Sequence, residues 1–445
     1  MERIKIDFLR VMGDIKPMNA VNNGPNPYTE EQTCGNFNEY KAARLPYART
    51  HDSASSGAYG GPHIVDISYV FPNFDADPYD PESYDFLLTD EYLQSIIDAG
   101  TQVFFRLGQT IEHATKKYFV HPPKDFKKWA VICEHIIRHY NEGWANGYHH
   151  GIIYWEIWNE PNLYGYRGAT SPTWTGTKEQ FYDLFEISAK HLKSCFPELK
   201  IGGPSNARGR EFAEDFLVEM KNRNVPLDFY SSHRYANDPK LFIEGSKYVR
   251  NLLDEVGYTE TENILNEWNY IKNWSDKFIY SITATSGIKG ASFVTAIMAG
   301  CQYAGLDMLM YYDARPSTVF NGIFDILTMK PRKTYYCLYS FSDLAELGDA
   351  VYTEVDTDLY CVGATDGSRG GALFTYFNDD DNSPSKRVSV SLDGISNRSR
   401  VKVYKIDKEN DRALVTEMAV NGPDMELCLD MALYDVYYVE IIPEQ

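Results

Sequence analysis

The sequence lacks the features that most often mark a nucleic-acid-binding protein. No dense run of Lys and Arg occurs along its 445 residues, and 63 acidic against 43 basic residues give a formal charge of −20. Phosphate contacts require clustered cations, so this balance argues against a nucleic-acid partner and favours a neutral ligand. Repeats and low-complexity tracts are also missing. The length suits one large domain with an appendage, or two or three ordinary domains.

Cysteine pairs and membrane segments are also lacking. The seven cysteines are odd in number and never spaced as CxxC, which suits a reducing compartment and argues against a zinc knuckle. The most hydrophobic stretch, 291–312, is interrupted by polar residues, so it predicts a buried helix followed by a strand, and no membrane partner is expected.

The beginning of the chain does not resemble a signal peptide. Residues 1–7 alternate charged and apolar side chains where a signal peptide requires an uninterrupted apolar stretch. A cytoplasmic protein is therefore expected if Met1 is the natural start, and otherwise a secreted protein whose signal has been removed.

Eight short strand-like runs occur in the first three-quarters of the chain, with amphipathic helical stretches between most of them. This alternation predicts βα units in a parallel sheet, and eight such units close into a (β/α)8 TIM barrel of the α/β class over residues 13–347. Two helix starts are also predicted, a capping box at Thr177–Gln180 and an N-cap at Asp90. The predicted strands are 15–21, 47–52, 102–107, 152–159, 200–204, 228–235, 263–268 and 308–313.

Beyond residue 348 the pattern changes to short strands separated by turn clusters, with no helical period. This predicts an antiparallel β-sandwich over residues 348–445. Residues 1–12 contain an alternating strand, which we expect to join that sandwich. The predicted strands are 352–355, 359–364, 372–377, 387–392, 401–406, 414–419, 426–431 and 436–442.

Two glutamates stand at the carboxyl ends of predicted barrel strands. Glu160 lies in the stretch Trp158-Asn159-Glu160-Pro161 after the fourth strand, and Glu267 ends the seventh. The carboxyl ends of barrel strands hold active sites, and strands four and seven lie nearly opposite each other. Retaining hydrolysis of a glycosidic bond requires two carboxyl groups about 5 Å apart, one acid/base and one nucleophile. Asn159 is placed to hydrogen-bond a sugar hydroxyl.

These stretches resemble clan A glycoside hydrolases, most closely family 39, which includes β-xylosidases and α-iduronidases. The resemblance covers essentially the whole chain. It implies that Glu160 is the acid/base, that Glu267 is the nucleophile, and that Asn159 binds the sugar's 2-hydroxyl. His233 and Tyr235 match a His-x-Tyr on the sixth strand that steadies the nucleophile and the sugar.

Further substrate-binding residues are also predicted. His51 matches a sugar-binding histidine of the family. Trp268 and Tyr312 are expected to offer aromatic surface to the sugar, although both could instead be packing residues. The chain departs from family xylosidases at the eighth strand, where it carries Tyr311-Tyr312-Asp313 instead of a Tyr-Trp-Thr-Phe-type sequence. Further on it has Phe320-Asn321 where some of those enzymes carry an acidic pair.

Glu156 stands on the same strand as Glu160 but deeper in the barrel. This position predicts an interior ion pair with Arg49 or Arg106 rather than a catalytic role.

The sequence thus predicts a retaining glycosidase that removes a terminal xylose- or arabinose-like unit from plant-type oligosaccharides. No metal and no cofactor are expected. An α-L-arabinofuranosidase, a galactosidase, an endo-acting hydrolase and a non-catalytic carbohydrate-binding barrel remain alternatives. The expected partner is a carbohydrate substrate, and self-association into a homo-oligomer stays open.

Overall fold

The computed structural model describes residues 1–26, 35–51, 64–165, 168–316 and 318–444. They form a closed barrel of eight parallel strands and a separate sheet of nine strands. The predicted fold class, a TIM barrel with a C-terminal β-sandwich, is confirmed. None of the helices in these ranges is both long enough and apolar enough to cross a membrane.

The barrel strands follow one another around the ring in chain order, as βα units require. The first barrel strand is much shorter than the predicted 15–21 and begins five residues later. The strands are β2 (Ala20–Asn22), β3 (Tyr47–Arg49), β4 (Gln102–Leu107), β5 (Tyr154–Ile157), β6 (Lys200–Asn206), β7 (Phe229–Ala236), β8 (Glu262–Tyr270) and β9 (Met308–Tyr311).

Helices surround the barrel and bury their apolar faces against it. The helices are α1 (Phe37–Ala43), α2 (Ile67–Val70), α3 (Leu87–Asp98), α4 (Phe126–Glu142), α5 (Lys178–Cys195), α6 (Arg210–Asn222), α7 (Pro239–Val256), α8 (Phe278–Thr285), α9 (Ile288–Gln302) and α10 (Lys333–Ala345).

Of the two predicted helix starts, one is confirmed and one is wrong. Thr177 and Gln180 form the capping box of α5. Asp90 does not cap α3, because that helix begins one turn earlier, at Leu87. The Asp90 carboxylate instead accepts a hydrogen bond from the Tyr140 hydroxyl of α4 at 3.0 Å.

The nine-stranded sheet contains both the first strand of the chain and its last eight. It holds β1 (Glu2–Asp14), β10 (Asp349–Val355), β11 (Leu359–Thr365), β12 (Gly370–Tyr376), β13 (Lys386–Asp393), β14 (Arg398–Ile406), β15 (Asp411–Asn421), β16 (Asp424–Met431) and β17 (Val436–Pro443). The β1 strand lies between β10 and β13 and pairs parallel with β13, so the sheet is not antiparallel throughout. Ile4 and Ile6 bury their side chains in the core of this sheet.

The barrel interior changes from apolar to polar toward the carboxyl ends of its strands. Phe104, Phe229 and Ile264 belong to a small apolar cluster inside the ring. Nearer the carboxyl ends the buried residues are Arg49, Glu156, Ser205, Ser231 and Asn266. Buried polar groups of this kind require partners, and their hydrogen bonds form the base of the site described next.

Candidate active site

Glu160 and Glu267 meet at the carboxyl-terminal mouth of the barrel. Glu160 follows β5 and Glu267 lies in β8, and both side chains are 7% exposed. One carboxylate oxygen of each lies within 4.8 Å of the other. The structure therefore brings the two predicted carboxylates together in one cleft.

A sharp turn after β5 places Glu160. Trp158 and Glu160 have φ values of 73° and 48°, in the left-handed region that non-glycine residues rarely adopt. Such backbone persists where the surroundings fix it. Here the Trp158 indole donates to the Thr173 carbonyl at 2.9 Å, and the Glu160 N–H donates to the Ser205 carbonyl at 3.1 Å.

A β-bulge in β8 places Glu267. Ser232 pairs with Leu265 and His233 pairs with Glu267, so Asn266 is an extra residue on that strand. A bulge changes the direction of the side chains that follow it. Asn266 therefore bonds Glu156 inside the barrel while the adjacent Glu267 also faces the cleft.

Trp268 does not lie in the cleft, so its predicted role in sugar binding is corrected. Its fully buried ring packs against Phe242 of α7 and Phe293 of α9, behind the barrel wall. The reason is strand alternation, because the neighbour of an inward-facing Glu267 points outward.

Four side chains surround the Glu267 carboxylate. The Tyr235 hydroxyl donates to Oε1 at 2.6 Å, and His51 Nε2 lies 2.7 Å from Oε2. Arg49 Nη1 is 3.4 Å and His233 Nδ1 is 3.6 Å from Oε2. Burial alone would raise the pKa of Glu267, but electrostatic interactions with His233, His51 and Arg49 and the hydrogen bond from His51 hold it far below its usual value. Glu267 is therefore ionised and suited to act as a nucleophile.

The Arg49 side chain is fully buried in the barrel beneath Glu160 and Glu267. Its guanidinium donates to Glu156 at 2.7 Å, Asn159 at 2.8 Å, and Ser205 at 3.0 Å. The predicted interior pair of Glu156 with Arg49 is thereby confirmed. Burial would raise the pKa of Glu156, but Arg49 and the bonds from Ser205 and Ser231 lower it.

Two polar atoms without a hydrogen-bond partner among the described residues lie beside Glu160. His233 Nδ1 is 2.8 Å from Glu160 Oε1, while its Nε2 has no hydrogen-bond partner in the described ranges. The same holds for Nδ2 of Asn159, whose Oδ1 is held by Arg49. Because buried polar atoms normally have partners, both are available to a ligand hydroxyl, which can donate or accept. His233 thus contacts the predicted acid/base more closely than the predicted nucleophile.

A cavity of about 660 Å³ opens above the two glutamates. Tyr312 lines it, with its ring 5.4 Å from that of His51. Sequence reasoning missed Trp274, which is 60% exposed and lies 5.3 Å from the Tyr235 ring. Its position in the loop after the seventh barrel strand was an available signal, because such loops build the sites of barrels.

Two groups of described residues could offer three ligand atoms to a metal, Glu160–His233–Glu267 and Glu134–His191–Cys195. In each, a His nitrogen lies 2.8 Å or less from a Glu oxygen. Tetrahedral zinc with bonds near 2.0–2.1 Å separates its ligands by about 3.3 Å, so both pairs fit direct hydrogen bonds better than a shared ion.

Comparison with known proteins gives consistent matches. The family model described as glycosyl hydrolases family 39 matches residues 66–357. A beta-xylosidase of Geobacillus stearothermophilus is 24% identical over 330 residues, covering 65% of this chain and 62% of that protein. One from Caldicellulosiruptor saccharolyticus is 28% identical over 187 residues, 39% of this chain and 35% of its own. The chain therefore spans less than two-thirds of the length of either relative.

Solved structures support the fold over the whole chain. A glucosidase from Croceicoccus marinus superposes with a TM-score of 0.82 at 20% identity, covering 100% of this chain and 99% of that one. A monomeric beta-xylosidase from Caulobacter crescentus gives a TM-score of 0.73 at 15% identity, with 100% of both chains covered. At these identities the likeness establishes the architecture alone.

Proposed function

The chain belongs to glycosyl hydrolase family 39, and on that premise we propose that it is a retaining glycosidase. In this proposal it releases a terminal xylose- or arabinose-like residue from plant-type oligosaccharides by double displacement. Glu267 is the nucleophile and Glu160 is the acid/base.

In the first step the Glu267 carboxylate attacks the anomeric carbon while the Glu160 carboxyl protonates the departing oxygen. The glycosidic bond breaks and a glycosyl ester with Glu267 forms. In the second step Glu160 removes a proton from water, the water oxygen attacks the anomeric carbon, and Glu267 leaves as a carboxylate. His51, Tyr235 and Arg49 stabilise the ionised nucleophile between turnovers.

The distance between the carboxylates of Glu160 and Glu267 distinguishes a retaining mechanism from an inverting one. Retaining enzymes keep them about 5–5.5 Å apart, whereas inverting enzymes keep about 6.5–9.5 Å to admit a water molecule. One oxygen of Glu160 lies within 4.8 Å of one oxygen of Glu267, which is closer to the retaining than to the inverting arrangement. This observation favours direct attack by Glu267.

The proposed sugar rests on the relatives and on the donors in the cleft. The two relatives described above are both beta-xylosidases. Nδ2 of Asn159, which has no hydrogen-bond partner within the described residues, is suited to the 2-hydroxyl of the sugar that becomes attached to Glu267, where a hydrogen bond strengthens in the transition state.

A second candidate is a retaining hydrolase of another glycan. Phe320 lines the cavity where some family xylosidases carry acidic residues, and the Asn321 amide is occupied by carbonyls of its own loop. An apolar ring at this position favours a sugar with fewer outer hydroxyls to bind there, or a different ring form such as an arabinofuranoside.

A panel of aryl glycosides tests both the sugar and the stereochemistry. We expect the xylopyranosides or arabinopyranosides to be cleaved fastest, and NMR of the first-formed sugar to show the anomer of the substrate. An inverted first product would contradict the double displacement. Fastest cleavage of an arabinofuranoside, or of a glycoside of another sugar such as galactose, would favour the second candidate.

Substitution of each glutamate tests its role. Glu160→Ala should slow leaving groups of high pKa far more than activated aryl groups, and azide should restore turnover as a glycosyl azide of retained configuration. Glu267→Ala should abolish turnover of both kinds of substrate. Glu262→Gln, at the opposite end of β8 from Glu267, is the matched control and should keep wild-type kcat. Unaltered turnover in both the Glu160 and Glu267 variants would disprove the assignment.

A further inference from the structure

A turn of the nine-stranded sheet reaches the barrel beside the catalytic strands. The turn between β12 and β13 carries Asp379, whose side chain is 18% exposed. Its Oδ1 accepts a hydrogen bond from the Tyr270 hydroxyl at 2.6 Å, and its Oδ2 accepts one from the Asn237 amide at 2.6 Å. The ammonium groups of Lys272 and Lys289 each lie 2.9 Å from the same carboxylate.

These partners stand at the ends of the two strands that carry the nucleophile and its hydroxyl donor. Asn237 directly follows β7, two residues after Tyr235. Tyr270 is the last residue of β8, three residues after Glu267. One carboxylate therefore joins the end of β7 to the end of β8, immediately beyond the Tyr235–Glu267 hydrogen bond.

The carboxylate of Asp379 is charged in this setting. Burial would raise its pKa, but the hydrogen bonds from Tyr270, Asn237 and the two lysines lower it. Hydrogen bonds to a charged acceptor are roughly twice as strong as neutral ones, so Asp379 holds the ends of β7 and β8 rigidly relative to each other. Within the described part of the chain, the Asp379 carboxylate pairs with Tyr270, Asn237, Lys272 and Lys289, and with neither Glu160 nor Glu267.

We propose that Asp379, contributed by the sheet, is a positioning residue for the catalytic cleft. By holding the ends of β7 and β8 together it keeps the Tyr235 hydroxyl 2.6 Å from Glu267. This inference rests on the proposed glycosidase function. It means that the nine-stranded sheet helps to position the catalytic groups in addition to contacting the barrel.

Asp381 provides a matched control two residues along the same turn. Its carboxylate also holds the sheet to the barrel, but it bonds Lys289, Tyr280 and Tyr434, none of which lies in β7 or β8. Losing Asp381 therefore weakens the same interface without releasing the ends of the catalytic strands.

The test compares Asp379→Asn with Asp381→Asn in the full chain, using the best aryl glycoside of the panel. For Asp379→Asn we expect kcat to fall about tenfold with KM within about twofold, because sub-ångström misplacement of reacting groups lowers rate more than binding. For Asp381→Asn we expect wild-type kcat and a comparable fall in Tm. Equal kcat values for the two variants, or a change confined to KM or Tm, would overturn the positioning role.

Tyr270→Phe is a milder variant that tests the same joint if Asp379→Asn folds poorly. It removes one donor to Asp379 and should lower kcat in the same direction. The double variant should lose little more than Asp379→Asn alone, because effects that act through one contact are not additive. Additive losses would also overturn the role. A wild-type chain that cleaves no glycoside would defeat the proposed function and this inference with it, whereas normal wild-type turnover isolates the test to Asp379.

Discussion

Replacement of Arg49 by Met should destabilise the barrel in a strongly pH-dependent way. Met keeps the length and apolar stem of the side chain but removes every guanidinium donor. Arg49 is fully buried, and its 2.7 Å contact with Glu156 is the only salt bridge to that equally buried carboxylate among the described residues.

The size of the destabilisation follows from the buried Glu156 carboxylate, which loses its cationic partner. Removing one partner of a buried ion pair typically costs about 3–5 kcal/mol. Ser231 and Asn266 still donate to Glu156 in the variant, so the lower end, about 3 kcal/mol, is expected. With an unfolding entropy of about 2.1 cal/mol/K per residue over a barrel of roughly 330 residues, this corresponds to a fall in Tm of about 4 °C.

The contribution of Glu156 to stability changes with pH in opposite directions in the wild type and in the Arg49→Met variant. In the wild type the pKa of folded Glu156 lies below its ordinary value of 4.5, so its stabilisation is present above that pH and is lost as the pH falls. Without Arg49, burial raises the pKa above the unfolded value. The variant then loses stability as the pH rises from about 4.5, by up to about 1.4 kcal/mol per pH unit, until it passes the raised pKa.

Scanning calorimetry of both proteins at pH 5 and pH 8 measures this difference. The gap in Tm should be small at pH 5 and large at pH 8. The double variant Arg49→Met, Glu156→Gln should recover much of the loss at pH 8, because a neutral amide removes the buried charge. A gap of equal size at both pH values, or a double variant no more stable than the single one, would refute the reasoning.

Three further outcomes concern the cleft. Tyr235→Phe should lower kcat and move the acid limb of the kcat/KM profile to higher pH, because loss of a hydrogen bond to the ionised form raises the pKa of Glu267; an unmoved limb would contradict this. Trp274→Ala should raise KM several-fold with little change in kcat if its exposed ring supports the substrate, and steady-state kinetics would show an unchanged KM if it does not. Asn159→Ala should lower kcat/KM for the normal substrate but hardly at all for its 2-deoxy analogue, and equal losses on both would place the amide elsewhere.

The order and type of the elements could be predicted from the sequence because local patterns decide them. The eight barrel strands and the eight later strands alternate with helices or turns in ways that period and turn residues reveal. The predicted start of α3 was wrong because the Asp90 carboxylate can make either of two interactions. A carboxylate near a helix start can cap it or bond a neighbouring helix, and only tertiary packing decides between Tyr140 and the backbone.

The meeting of the two glutamates could be predicted because each stands toward the carboxyl end of a barrel strand, Glu160 after β5 and Glu267 in the second half of β8. Trp268 could not be judged in the same way, since the bulge at Asn266 decides which of three successive residues face inward. The Arg49 network was only partly predictable. The sequence suggested a partner for Glu156, but bonds that also reach Asn159 and Ser205 depend on closure of the ring.

The placement of β1 in the middle of the nine-stranded sheet has a consequence for biosynthesis. Ile4 pairs with Val355, roughly 350 positions later, and β1 also pairs with β13. During translation β1 emerges long before either neighbour, so both of its edges remain unpaired while the whole barrel is made. Completion of the sheet must therefore be among the last events of folding. Chaperone dependence and aggregation in the cell should therefore depend more on the unpaired β1 strand than on the barrel.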